Sequence, residues 1–259
     1  MKIGITILGS GSKGNAILIH SENNGLLIDA GFSRKEILKR CLDADFDSKQ
    51  IKALLISHEH GDHIKGARVL ADHLNIPTYL TNKVYSYLKN KKLIGQKIYL
   101  FQPGDKFKVE EFEIQPFQVL HDATDPVGFI ITVNSQKIGI VTDLGCIDNL
   151  VKAKLMKCEV LILECNHDKQ MLMNSDRSIN LKRRINGKFG HLNNVDAINS
   201  LNDIICENTK HIVFYHLSND CNDREMVYNM AQEKISSLNR SDINFTIAKQ
   251  NEILPTFWL

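Results

Sequence analysis

Apolar residues along this chain fall mostly in short runs separated by turn residues, with a few longer stretches at helical spacing. Residues 3–8 (IGITIL) and 16–20 (AILIH) predict two strands flanking a glycine-rich turn. Residues 25–29 (GLLID), after Asn23-Asn24-Gly25, predict a third. Ser33 to Leu42 places apolar residues on one helical face. Ala53 to Ile56 is a buried-strand run, followed by a helical pattern over 64–74 and a short strand from Tyr79. Strand signals recur at 97–101, 106–120, 127–133 and 137–142, with turns at Pro103-Gly104-Asp105 and Asn134-Ser135. Val160 to Glu164 reads as another buried strand. Beyond it the pattern gives a helix over Asn194 to Cys206, a strand at 212–215, a helix over 223–238 and a last strand near 243–249. With no repeat, Pro-rich linker or low-complexity tract, residues 1–259 read as one α/β domain with hairpin-rich sheets.

Composition narrows the class. The chain has 259 residues, 43% of them hydrophobic, enough for a sizeable core without disulfides. Thirty-two basic and 30 acidic side chains give a formal charge of +2, which excludes a generally basic protein that coats nucleic acid. The six cysteines form no CxxC pair and read as reduced core residues. The N-terminus lacks the apolar region of a signal peptide, and no apolar run is long enough to span a bilayer. A soluble cytoplasmic protein with no membrane partner is the expectation.

Gly9-Ser10-Gly11-Ser12-Lys13-Gly14 matches G-x-G-x-x-G, and Asp29 follows at a suitable distance. A dinucleotide site needs a helix directly after the glycines, because the pyrophosphate rests on its N-terminus. The residues that follow, Asn15 to His20, alternate like a strand, so no nucleotide cofactor is expected. The loop instead suits a tight strand-to-strand connection whose backbone amides approach a ligand such as a phosphate.

The chemistry concentrates in His58-Glu59-His60-Gly61-Asp62-His63, directly after an apolar strand. Imidazole and carboxylate are the ligands that borderline divalent metals prefer, and a turn at a strand end can aim several of them into one cavity. A single histidine is most often a packed or surface residue; three with an aspartate in H-x-H-x-D-H order are not. The motif resembles the signature of the metallo-β-lactamase superfamily, and the remaining motifs follow in order: Asp29, His121, Asp143 and His216, each after a strand-like run. The resemblance implies a four-layer αβ/βα sandwich of two mixed sheets. It implies a first metal on His58, His60 and His121, a second on Asp62, His63 and His216, and Asp143 bridging. Two such ions lie about 3.5–4 Å apart and can activate a shared water. Zinc suits the ligands, and manganese or iron accepts them. Asp62 can also orient the water or take its proton.

Glu164-Cys165-Asn166-His167-Asp168, Leu181 to Ile185 and Gly190-His191-Leu192, with the Gly9–Asn15 loop and His216-Leu217-Ser218, resemble the YycJ/WalJ-like branch of that superfamily. Members of the branch are regarded as DNA exonucleases or related phosphodiesterases, which implies a nucleic-acid partner, DNA before RNA. A more distant similarity links Glu164 and His191 to the pair that assists the leaving group in ribonuclease Z, whose long inserted arm this chain lacks. Cys165 and Asn193 depart from the serines usual in the branch. Catalytic roles are therefore expected for Asp62, Glu164 and His191, and substrate contacts for Ser12, Asn15, Lys182, Arg183 and Ser218. Lys182, Arg183 and Arg184 equally fit a solvated helix end. His20, His73 and His211 read as structural, and His167 sits just past a strand end. The rival readings are a hydrolase of thioesters, lactones or β-lactams, a ribonuclease-Z-like RNA endonuclease, and a metal-binding scaffold without chemistry.

Overall fold

The computed structural model describes residues 2–259. The chain divides into two compact units, one formed by Met1–Pro116, Ala123–Val127 and Lys249–Leu259, the other by Phe117–Asp122 and Gly128–Ala248.

In the first unit, β1 (Gly4–Gly9), β2 (Ala16–His20) and β3 (Gly25–Ile28) form an antiparallel meander. From β3 onward the pairing becomes parallel, because a helix intervenes before each next strand. The order is α1 (Arg34–Asp43), β4 (Ile51–Leu55), α2 (Gly61–Ile64), α3 (Ala67–Leu74), β5 (Thr78–Thr81), α4 (Asn82–Asn90) and β6 (Ile98–Phe101). Ser33 caps α1 by accepting from Glu36 N, and Ile37 and Cys41 carry its buried face. These elements pack around Leu8, Leu18, Leu27, Leu54, Leu70 and Leu80.

Next come β7 (Phe107–Val109), β8 (Phe112–Gln118), β9 (Val127–Val133) and β10 (Gln136–Val141), then α5 (Asn149–Leu155) and β11 (Val160–Glu164). They are followed by α6 (Lys169–Asn174), α7 (Ile179–Ile185), α8 (Asn194–Ile204), β12 (His211–Tyr215), α9 (Arg224–Ser237), β13 (Asn244–Ile247) and β14 (Leu254–Trp258). β10, β11, β12 and β13 are parallel neighbours. β11 is buried at every position, which is why it reads as an unbroken apolar run. The second unit's core gathers Val141, Leu161, Leu163, Leu201, Phe214 and Val227.

The strands form two seven-stranded mixed sheets, in the orders β14-β1-β2-β3-β4-β5-β6 and β13-β12-β11-β10-β9-β8-β7, flanked by helices, the α/β arrangement that the sequence resemblance implies. Several expectations need correcting. The helix expected over 64–74 breaks at Gly66, where a Cβ would meet Phe32 O at 2.0 Å. The run 106–120 is a hairpin, turned at Glu110 with φ +50°. α4, α5, α6 and α7 went unread, and the last strand is β14, which pairs antiparallel with β1. The Gly9–Asn15 loop opens the strand β2 and no helix, as the sequence requires.

Candidate metal centre

Parallel strands deliver side chains at their carboxyl ends, the usual place for chemistry in an α/β sheet. In the first unit β3 leads into Asp29 and β4 into Ser57 and His58. Asp29 has φ +60°, a left-handed backbone that aspartate tolerates better than most residues. The turn brings its buried carboxylate onto three donors: Ser57 N at 2.8 Å, Ser57 Oγ at 2.7 Å and His63 Nδ1 at 2.7 Å. Ser57 spends its hydroxyl proton on Asp29, so its oxygen accepts from Nδ1 of His58 at 3.0 Å. Both rings therefore carry their lone pair on Nε2. His58 and His63 lie with ring centroids 4.1 Å apart, and His58 and His60 at 4.7 Å.

Asn15 ties the glycine loop to this cluster. Its Oδ1 accepts from Gly11 N at 2.8 Å, and its Nδ2 donates to Asp62 Oδ2 at 3.1 Å and lies 3.0 Å from His63 Nε2. Both ends of the amide are thus engaged inside the protein. Gly31 packs where a Cβ would fall 1.7 Å from Asp62 O. Ser12 is exposed at the loop tip. Glu59 turns aside, accepting from Thr124 N at 2.8 Å and Thr124 Oγ1 at 2.6 Å.

The second unit repeats the device. Asp143 follows β10 with φ +55°, and His216 follows β12 with φ +59°. Such conformations cost on the order of 1–3 kcal/mol each and persist where the surroundings impose them. Thr142 Oγ1 donates to Asp143 Oδ2 at 2.7 Å, and Asn166 Nδ2 donates to the His216 carbonyl at 2.8 Å. His121 Nδ1 donates to Gly190 O at 2.9 Å, and its Nε2 stands 3.9 Å from Asp143 Oδ1.

Glu164, fully buried at the end of β11, is the hub. Its Oε2 accepts from Leu144 N at 2.9 Å and Leu192 N at 3.1 Å. Its Oε1 lies 2.8 Å from Nδ1 of both His191 and His216. Burial opposes ionisation of this carboxyl, but the His191 charge and the two imidazole hydrogen bonds outweigh it and hold it down at about 2. For His191 burial likewise opposes the charge, and the Glu164 carboxylate more than compensates, so its pKa is raised. The His191 side chain stays 22% exposed and lies between the rings of His121 and His216, at 5.0 and 5.2 Å. Asp143, Glu164, His191 and His216 each offer a donor atom within 4.8 Å of the others.

The other expected residues fall as follows. Ser218 is buried, and its hydroxyl accepts from Cys221 N at 3.1 Å, which engages it in a turn. Lys182 Nζ donates to Met173 O at 2.7 Å, Arg184 pairs with Asp122, and Arg183 is exposed. His167 is fully buried, with Nε2 3.4 Å from Asn186 Oδ1 and its carbonyl accepting from Asn194 N; burial lowers its pKa. Cys165 Sγ donates to Asn194 Oδ1 and Asn193 caps α8, so both departures from serine keep a polar partner. Ser57, Thr142 and Asn166 were not singled out in the sequence, although each directly adjoins a motif residue or lies in a quoted motif.

Residues 24–217 match the family model described as beta-lactamase superfamily domain. The chain belongs to this superfamily. It is 33% identical over 230 residues to exodeoxyribonuclease YycJ of Bacillus anthracis, spanning 87% of this chain and 86% of that protein. It is 30% identical to exodeoxyribonuclease WalJ of Streptococcus pneumoniae, spanning 86% and 84%. Among solved structures, the metallo-beta-lactamase fold protein YhfI from Bacillus subtilis superposes with a TM-score of 0.74 at 18% identity, over 98% of this chain and 99% of that one, a likeness of fold.

The superfamily's metals fit this chain's donors. His58, His63, His121 and His216 each have Nδ1 held by an oxygen, which sets the tautomer and leaves Nε2 as the nitrogen a metal would take, the arrangement that metal-binding histidines adopt. Superfamily membership and these His/Asp clusters make the chain a metal-dependent hydrolase.

Proposed function

We propose that this hydrolase is a phosphodiesterase of the exonuclease type acting on DNA, and that residues 1–259 work as one domain. The matched segment 24–217 draws on both compact units, which supports that reading. His58, His60, Asp62 and His63 would supply metal donors from the first unit, and His121, Asp143 and His216 from the second. Zinc is the ion this donor chemistry favours, and manganese or iron is accepted by it. When bound, a pair of such ions supplies Lewis acidity toward a phosphate diester and a water acidified enough to react near neutral pH. Six cysteines without a disulfide accord with a reducing cytoplasm, and no helix among the described residues is long and apolar enough to cross a membrane.

The observation that carries the nuclease reading is the Glu164–His191 pair. A sugar alkoxide is a poor leaving group and needs a proton, whereas thiolates leave unaided. His191, charged against a buried carboxylate and still partly exposed, is built to give that proton from Nε2. Glu164 has no lone pair left for substrate and acts as a positioning residue. Asp62, steered by Asn15, orients the attacking water. The names of the YycJ and WalJ relatives support DNA as the substrate. Metal-loaded protein assayed on 5′- and 3′-labelled single- and double-stranded DNA and RNA, beside a thioester and a lactone, tests the reading. Stepwise shortening of DNA is expected; turnover of the thioester or lactone alone would overturn it.

A further inference from the structure

Two residues before His191 the chain exposes an aromatic ring. Phe189 is 55% accessible at the tip of the turn that joins α7 to the Gly190-His191 segment. This turn is held on every side. Gly190 N donates to Gly187 O and His191 N to Ile185 O, both at 2.8 Å, and Gly190 O receives Nδ1 of His121. Gly145, two residues past Asp143, packs against the same backbone so closely that a Cβ would come within 2.3 Å of Lys188 O. Gly190 itself has room for no side chain, with Ile185 O 2.1 Å from the position of a Cβ. The ring therefore stands on a fixed backbone anchored to two residues proposed to handle metal and proton.

The segment that carries it has charge of one sign. Residues 179–190 contain Lys182, Arg183, Arg184 and Lys188 and no carboxylate. Lys182 and Arg184 are engaged with Met173 O and Asp122. The side chains of Arg183 and Lys188 are exposed and make no hydrogen bond or ion pair among the described residues. A rigid, accessible aromatic face flanked by unengaged cations is complementary to a ligand with flat apolar faces on a polyanionic backbone, which is the chemistry of an unpaired nucleic-acid strand. A base stacked on both sides inside a duplex presents no free face to it.

Resting on the nuclease reading, we propose that Phe189 is a stacking platform for an unpaired base of the substrate strand, with Arg183 and Lys188 on the flanking phosphates. The Cα atoms of Phe189 and His191 lie no more than about 7 Å apart, the reach of two residues, so the stacked base belongs to a nucleotide close to the scissile bond.

The test is a cycle of two proteins and two strands: wild type and Phe189→Ala, each with a single-stranded oligonucleotide and with the same strand made abasic at its terminal positions. Stacking on an aromatic side chain predicts about a 5- to 150-fold weaker dissociation constant for Phe189→Ala on the normal strand. On the abasic strand the two proteins should converge, and Phe189→Trp should restore binding to the normal one. A terminal 2-aminopurine should lose fluorescence on binding wild type and much less on binding Phe189→Ala, a readout independent of turnover. Arg183→Gln and Lys188→Gln should each lower the slope of log Kd against log salt by about 0.7. Equal binding of the normal strand by wild type and Phe189→Ala, with DNA cleavage intact, overturns the platform and leaves the nuclease standing. A wild-type protein that cleaves no nucleic acid overturns both.

Discussion

Nδ1 of His191 stands 2.8 Å from Oε1 of Glu164, on the same oxygen that holds His216. One buried carboxylate thereby orients both the proposed proton donor and a proposed metal ligand, and the two roles separate by substrate. General acid catalysis contributes roughly 10²–10⁴-fold where the leaving group is poor. His191→Ala is expected to cut turnover of DNA by about that factor, to cost far less on bis(p-nitrophenyl) phosphate, and to leave metal content unchanged. Asp143→Ala should damage both substrates together. Equal losses on the two substrates for His191→Ala would remove His191 as the acid, and lost metal would make it a ligand.

Asp29 offers a second test, since it reaches the metal centre only through Ser57 and His63. Asn at this position tolerates the left-handed backbone and keeps an acceptor for Ser57 N, but loses the charge that fixes His63. Asp29→Asn should weaken metal affinity by roughly 10–100-fold with a small effect on folding. Asp29→Ala should in addition destabilise the fold, by about 1–3 kcal/mol for each buried donor left unmade. Metal titration and urea unfolding of both variants read the two effects apart; unaltered affinity in Asp29→Asn would rule out the orienting role.

Gly31 has backbone, not side chains, where a Cβ would go: Asp62 O at 1.7 Å and Asn15 N at 2.5 Å. Gly31→Ala must push the Asp62 turn away from the Asn15 loop. Overpacking of this kind costs about 1–3 kcal/mol. The expected result is a lower melting temperature together with loss of the second equivalent of metal. Full metal occupancy with wild-type activity would show that the turn moves freely.

His211, at the start of β12, is held down to about 4 by burial, with Thr246 Oγ1 3.2 Å from its Nε2. In the unfolded chain it titrates near the ordinary value of 6.5. Between those values the unfolded state binds more protons, so stability is complete above about pH 6.5 and falls as pH drops toward 4. In metal-free protein, urea unfolding at pH 7 and pH 4.5 should show a smaller drop for His211→Gln than for wild type. Equal drops would assign the acid sensitivity to other groups.

Residues marked by type and position were legible in the sequence. The H-x-H-x-D-H run stands out by its residue types after an apolar strand, and the family resemblance picked out Asp29, Asp143 and His216 at later strand ends, where the structure gives all three left-handed backbone. The pairing of Glu164 with His191 crosses 27 residues, and the family resemblance, not spacing, pointed to it. Elements with a thin apolar signal were lost. α4 buries only Val84 and Leu88, and β14 carries Pro255 and is nowhere fully buried. Asn15 and Ser218 looked like ligand contacts because polar residues beside a site invite that reading; their bonding became visible only with the loop's path.

The pairing of β14 with β1 sets an order on biosynthesis. Gly4 faces Trp258 and Ile5 faces Phe257, and Thr6 and Thr256 join hydroxyls at 2.7 Å. At the roughly 5–20 residues per second of translation, some 12–50 s separate the two strands. Throughout that interval the outer edge of β1 is an unpaired template, buried on all its residues in the finished sheet and open to any passing strand before it. A nascent chain stalled before residue 254 thus carries an open β1 edge, although every residue of the H-x-H-x-D-H motif has long since left the ribosome.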